Sequence, residues 1–572
     1  MHGFICIISK QHTAVNTSIR WKKLFSFQNR HIQRSIISTN YQIEQYTSEK
    51  FLSEKIWIDN DDFLCVTEGI ILNINILHKK HNTQNATQLF SKLSEKDDFV
   101  KELQGTFTGI FYDKKKGKWY AFNNQMATKR LFYFQNKDYF ILSTDLYTLS
   151  ESLKNLKITR KLNTEAAYLL LSAGFMMDNH TLIADVWQVG AGEYLEYDYK
   201  KINLKNYFHL EKVQPSNPTP DEAMAELDRI FKEALLLELE IDKKYQLTPV
   251  TTLSGGLDSR MVALLAEKAG CKNQFLLNFS EKGYADDVIS RKIARKYRIP
   301  LQQIHLLPES LANIDDVIAV NDGLTIYTGC SHVFSTLEHI DVKNYGATHS
   351  GILGDAVLGS YVSVKNEVKP DWNDGFFSKK IKSENSKEAV SKIMAKFPNK
   401  ELYKFYNRGF MAINNGFLYF DLVGECFSPF LHPDFISYAY SLPQKYKYKE
   451  NLYIQWIRKY YPDAADFTWE SIGGKPTNNR FLRFFYRYKR AIIKRLPIKT
   501  MWKNTMTPEQ KWYDNNENVK KTLDDYFYAN TFRLNEYPNL KTEVENLYTQ
   551  GDITIKAQCI TLVGAAKLLF ND

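Results

Sequence analysis

Up to about residue 210, short apolar runs alternate with turns. Phe4-Ile5-Cys6-Ile7-Ile8, Phe63-Leu64-Cys65-Val66, Phe107 to Tyr112 and Tyr139 to Leu142 read as strands. Thr87 to Leu93 and Thr164 to Ser172 carry helical spacing instead. The mixture predicts an α+β region with sheets packed face to face. Gln214 to Pro220 is polar and Pro-containing and reads as a linker. A helix is predicted from Asp221, with Ala223, Leu227, Ile230, Phe231 and Leu235 on one face.

From Pro249 the pattern changes. Apolar runs at Pro249 to Leu253, Gln274 to Phe279 and Leu301 to Leu306 alternate with helical segments, which predicts an open parallel sheet. Such sheets bind ligands beyond the carboxyl ends of their strands. Beyond about residue 365 the pattern is mostly helical.

The loop at the end of the first of these strands is Ser254-Gly255-Gly256-Leu257-Asp258-Ser259. Strand, Gly-rich turn and helix together turn backbone N–H groups toward an anion. The G-x-x-x-x-G-K-[ST] spacing is absent. Asp258 would repel phosphate by itself, but it makes sense as a ligand to a divalent cation bridging to phosphates. The loop therefore predicts a Mg-nucleotide site.

Composition changes this picture little. At 572 residues the chain exceeds one core, and 44% hydrophobic with 24% charged residues is ordinary for a globular protein. The net charge of +10 is small for this length, and the 35 Tyr and 36 Phe read as packing, so no nucleic-acid partner is expected. Six scattered cysteines without a C-x-x-C pair predict neither a metal cluster nor a disulfide framework. With no apolar run of membrane-spanning length and no leader pattern, a cytoplasmic location is expected.

Several landmarks now stand in order. Gly105-Thr106-Phe107 leads through to Lys129-Arg130-Leu131-Phe132-Tyr133, and Gly192-Glu193-Tyr194-Leu195 follows. Then come the Ser254–Ser259 loop, Ser350-Gly351-Ile352-Leu353-Gly354-Asp355 continuing to Tyr361, and Gly424-Glu425-Cys426-Phe427-Ser428-Pro429-Phe430-Leu431-His432. Together they resemble the asparagine synthetase family over nearly the full length. The resemblance implies an Ntn-hydrolase-like α+β sandwich over 1–212, of the class II glutamine amidotransferase type. Over 213–572 it implies an α/β ATP-pyrophosphatase domain, adenine nucleotide α-hydrolase-like, with a helical C-terminal part.

The glutaminase half departs from the family. The family's nucleophile is a cysteine directly after the initiator Met, whereas this chain has His2. Imidazole cannot replace a thiolate using its own α-amine as base. Cys6 sits in an apolar strand and reads as a core thiol. The family's oxyanion Asn is replaced by Glu68, whose charge would oppose a developing oxyanion. Glutamine hydrolysis is expected to be lost.

In the synthetase half the resemblance implies Asp258 and Asp355 as Mg ligands. It implies Ser254, Gly255, Gly256 and Ser259 around the phosphates, and Leu253, Phe279, Ser280 and Gly354 elsewhere in the nucleotide site. Lys475 falls near the family's catalytic lysine and is implied in that role, and Glu425 is the candidate base. Where asparagine synthetases carry a Glu after Ser-Gly, this chain has Ile352. The expectation is an AMP-forming carbon–nitrogen ligase using ATP and Mg2+ on a small-molecule or peptide carboxylate. Its amine donor is other than glutamine, and a homodimer is admitted. Residual ammonia-dependent asparagine synthesis, a peptide macrocyclase, a sugar-acid amidating enzyme and a catalytically silent nucleotide-binding protein remain the alternatives.

Overall fold

A computed structural model describes residues 2–11, 13–22, 31–96, 98–340, 343–362, 367–380, 384–477, 481–482, 485–486, 488–489 and 506–571. Arg480 and much of the basic aromatic stretch 480–490 lie outside these residues.

The N-terminal part contributes β1 (Gly3–Ser9), β2 (His31–Ile37), β3 (Tyr41–Ser48), β4 (Trp57–Asp59), β5 (Phe63–Ile71), β6 (Gly105–Asp113), β7 (Lys118–Asn123), β8 (Phe132–Gln135), β9 (Tyr139–Ser143), β10 (Val186–Gln188), β11 (Glu193–Tyr197) and β12 (Ile202–Asn206). They form two six-stranded sheets, ordered β10-β8-β9-β1-β3-β2 and β12-β11-β7-β6-β5-β4. Every pairing in both is antiparallel.

Alternation along the strands decides what each face meets. On β1, Phe4, Cys6 and Ile8 join Leu64 and Val66 of β5 and Trp119 of β7 in a cluster drawn from both sheets. Ile5 and Ile7 point the other way, toward Leu146 and Leu149 of helix Leu146–Asn155 and Ala166 and Leu170 of helix Thr164–Ala173. Phe107, Phe111 and Phe122 on the far face of the second sheet pack against Leu77, Leu89 and Phe90 from helices Ile74–His81 and Ala86–Leu93. The result is helix, sheet, sheet, helix. A run such as Phe4 to Ile8 is apolar throughout because β1 is buried on both faces.

Helix Pro220–Tyr245 starts at a capping box, Thr219 with Glu222, and places Pro220 in its first turn. The second region is a parallel sheet of β13 (Thr248–Thr252), β14 (Phe275–Ser280), β15 (Leu301–His305), β16 (Tyr345–His349) and β17 (Cys426–Phe427). Its order is β15-β14-β13-β16-β17. From β13 the chain lays strands outward on one side, then returns to β13's other edge with β16. That reversal opens a crevice between the loops after β13 and β16. Helix Ile553–Leu569 is buried along most of its length and packs on the helical layer of the N-terminal region. None of the described helices is long and apolar enough to cross a membrane.

Candidate active site

The two loops meet at the crevice. A Cβ on Gly354 would lie 2.8 Å from Asp258 Cγ, and one on Gly351 would lie 2.6 Å from the Asp258 carbonyl carbon. Only glycine lets the loops approach this closely. Asp258 accepts a hydrogen bond from the backbone N–H of Asp355, and its Oδ1 accepts one from the Tyr453 hydroxyl at 2.7 Å. Burial and then the charge of Asp355 push the Asp258 carboxyl well above the usual range, against the pull of those two donors. Asp355 reaches open surface, yet the surrounding protein also raises its carboxyl.

Beside the pair lies a chamber of about 180 Å³. Leu253, Ser254, Gly256, Asp258, Ser259 and Phe279 line it, joined by Thr252, Asn278, Ser350 and Met506. Its hydroxyls are linked to one another: Ser254 Oγ and Ser259 Oγ lie 3.0 Å apart, and the Gly256 N–H donates to Ser254 Oγ. Gly255 differs from the expectation, because its N–H donates to Asp286 Oδ1 at 2.7 Å and so is already engaged. It is also held from behind, since its carbonyl accepts from Arg260 Nη2 at 3.1 Å and from the Glu470 N–H at 3.0 Å. Ser280 is fully buried beneath the chamber and does not line it.

Two expected residues stand apart. Lys475 Nζ pairs with Asp466 Oδ1 at 2.8 Å on an exposed loop and lines neither this chamber nor the one adjoining it. Glu425, the candidate base, is a correction to the sequence reading. Its carboxylate is buried and turned toward the N-terminal region, where Oε2 accepts from Lys129 Nζ at 2.7 Å and Oε1 lies 3.7 Å from Lys55 Nζ. So placed, Glu425 lines neither this chamber nor the one adjoining it.

That ion network surrounds His2 and Glu68, the two positions at which the chain departs from the family's glutaminase residues. Glu68 Oε1 accepts from Lys55 Nζ at 2.7 Å, Lys129 also pairs with Asp421 at 2.8 Å, and His2 Nε2 lies 2.8 Å from His31 Nε2. Burial pulls the Lys129 ammonium down, but the Asp421 and Glu425 carboxylates outweigh it and hold it up. Burial, then Lys55, keeps the His2 imidazole well below its usual range. His2, Glu68, Lys129 and Asp421 line a cavity of about 30 Å³, room for about one water molecule. Cys6 lies in the inter-sheet core, and burial raises its thiol well above the usual range.

Sequence reasoning missed Tyr453, Asp286 and Arg260. Each acts on the loop from elsewhere in the chain or from within the following helix, and none carries a local motif. Two hard carboxylates oriented by a phenol and an amide fit a divalent cation whose other ligands are phosphate oxygens and water. Among the described residues no cluster of three or more His, Cys, Asp or Glu forms a self-sufficient metal cage.

A family model described as asparagine synthase matches residues 244–407, and one described as a glutamine amidotransferase domain matches 67–208. A Methanocaldococcus jannaschii protein whose name is that of a glutamine-hydrolyzing asparagine synthetase is 25% identical over 252 residues. That match covers 42% of this chain and 47% of the relative, so the chain spans about half the relative's length. Among solved structures, glutamine phosphoribosylpyrophosphate amidotransferase from B. subtilis, complexed with ADP and GMP, is 10% identical with a TM-score of 0.22, over 47% of this chain and 77% of that one. An allosteric regulatory enzyme of purine biosynthesis is 11% identical with a TM-score of 0.22, over 53% and 74%. With an amidotransferase match on the antiparallel region and an asparagine synthase match on the parallel one, the chain is similar in both regions to proteins of the asparagine synthetase family.

Proposed function

We propose that this protein is an ATP-dependent amide-forming ligase without glutaminase activity of its own. Residues 1–212 form an Ntn-hydrolase-like domain whose hydrolytic site is lost, and 213–572 form the ATP-pyrophosphatase-type synthetase domain. The observation that carries the reading is the meeting of Asp258 and Asp355 beside the chamber lined by the Ser-Gly loop.

A substrate carboxylate oxygen attacks the α-phosphorus of ATP, forming an acyl adenylate as the bond to pyrophosphate breaks. An amine nitrogen then bonds to the acyl carbon, AMP leaves with the electron pair of the broken C–O bond, and the amine gives up a proton. Mg2+, when bound, neutralises the departing pyrophosphate. Asp258 and Asp355 hold that charge in place, with Asp258 oriented by Tyr453. The Ser254 and Ser259 hydroxyls offer donors to phosphate oxygens. Lys475 can serve as the cation at the transition state only after its loop releases Asp466. The nitrogen comes from ammonia or a substrate amine, since the 30 Å³ cavity at His2 leaves glutamine no room. A macrocyclase, a sugar-acid amidating enzyme and a silent nucleotide-binding protein are the competing readings.

Exchange of label between pyrophosphate and ATP, driven by a panel of carboxylic acids, tests the reading. Exchange is expected in wild type with Mg2+ and to be lost in Asp258→Asn. Equal exchange by the two proteins would remove the metal role assigned to Asp258.

A further inference from the structure

A second chamber, of about 280 Å³, adjoins the first and shares Thr252, Phe279 and Ser350 with it. Its walls are largely apolar, with Val333, Ile352, Phe377, Ile413 and Phe420 contributing. No acidic side chain lines it. Arg408, on helix Phe405–Ile413, does. One end of its guanidinium, Nη1, donates to the Gly375 carbonyl at 2.7 Å, and the group lies over the Phe377 ring at 3.9 Å from the centroid. Among the described residues no carboxylate pairs with it.

The geometry points to this chamber as the seat of the substrate acid, and to Arg408 as the residue that selects an acid with an apolar body and a second anionic group. This rests on the ligase reading given above. One carboxylate would lie at the Ser350 edge, where the chambers join and adenylation takes place. The body packs on the apolar walls, and the second anion meets the free N–H groups of the guanidinium, whose planar fork suits a carboxylate.

Two further features support the assignment. His332 also lines the chamber, but burial drives its imidazole down to about 4, so it is neutral at pH 7. Arg408 is therefore the one positive charge among the lining side chains. Second, an amino acid such as aspartate brings an ammonium group, and this chamber offers no carboxylate to receive it. Burying an unpaired ammonium is costly. The chamber discriminates against aspartate while Arg408 favours a second anion.

The test is calorimetric binding with the full chain, Mg2+ and α,β-methylene-ATP, using matched probes. Isophthalate and adipate each carry two carboxylates; benzoate and hexanoate carry one on comparable bodies. Wild type is expected to bind at least one diacid about tenfold more tightly than its matched monoacid, and to bind aspartate no better than the monoacids. Arg408→Gln should erase the diacid advantage while leaving nucleotide affinity unchanged, and Arg408→Lys should restore part of it. Absence of a diacid preference in wild type, its persistence in Arg408→Gln, or aspartate binding as the best probe would each overturn the proposal. Loss of nucleotide binding in wild type would instead strike the ligase reading. Intact nucleotide binding without diacid preference strikes this inference alone.

Discussion

The two regions treat buried charge in opposite ways. Where the N-terminal region meets the second, its Lys55, Lys129 and Glu68 join Asp421 and Glu425, and the cavity left over is about 30 Å³. In the second region, Asp258 lines an open chamber and feels the charge of neighbouring Asp355, and no lysine or arginine pairs with either among the described residues. Matched charges close a pocket, because each group's bonding capacity is spent inside the protein. Mismatched charges leave a standing demand for a cation, which a ligand can meet. The contrast is what favours the second region as the seat of the proposed site.

The largest expected effect is at the mismatched pair. Asp258→Asn should lower ATP–pyrophosphate exchange by roughly two to three orders of magnitude, as loss of a preorganised charge group does elsewhere. The same change relieves repulsion, so the metal-free protein should gain about 1 kcal/mol in denaturant melts. A loss of stability in Asp258→Asn would contradict the description of the pair as repelling.

The matched network predicts the reverse. Glu425→Ala leaves Lys129 and Lys55 facing one carboxylate fewer in a buried setting. It should cost about 3–5 kcal/mol, measured by urea unfolding. Glu425→Gln, which keeps the shape and accepts from Lys129, should retain exchange. Abolished exchange in a folded Glu425→Gln protein would return the residue to a catalytic role.

These cases show what the sequence made legible. Asp258 lies in a loop whose chemistry is written within a few consecutive residues, whereas Asp355 was marked only by the family resemblance of its loop. The apolar runs of β1 and β5 were equally local, as was the helix expected from Asp221, which begins one residue earlier at Pro220. Tyr453 reaches Asp258 across 195 positions and Lys129 reaches Glu425 across 296, distances over which no periodicity carries a signal. Lys475 was visible as a loop lysine, but its pairing with Asp466 depends on how the loop folds back. The reason to expect no glutaminase was legible in His2 and Glu68, whereas the ion network packed around them was not.

A third site sharpens the comparison through pH. His349, at the end of β16 and next to Ser350, bonds Asp242 at 2.7 Å and Glu238 at 3.1 Å. Burial disfavours its charge, but the two hydrogen bonds outweigh it and raise the imidazole from 6.5 to about 9. Burial raises Glu238 to about 7. Both folded values lie above the unfolded ones, so both groups stabilise on the acid side. The His349 contribution, on the order of 3 kcal/mol, is present below pH 6.5 and lost as pH rises through 9. Stability should therefore fall along an alkaline limb, and His349→Gln should flatten it. An unchanged limb would show that His349 is not held charged.

The smallest expected effect is the most direct probe of the closed pocket. His2→Cys restores a thiol at the family's nucleophile position, and a chemical reading alone would expect glutaminase activity to return. The physical reading expects none. Glu68 still stands where an amide donor belongs, and Lys55 and Lys129 still fill the space with charges paired to Glu68, Asp421 and Glu425. Glutamate release from glutamine by His2→Cys should stay at the wild-type background, and exchange should be unchanged. Adding Glu68→Asn would supply the donor but leave Lys55 with only the Thr47 hydroxyl and the more distant Glu425 carboxylate, so the double variant should lose stability without gaining activity. Glutamate release by either protein would mean that the pocket opens, and that the ion network is a removable plug and not a fixed part of the core.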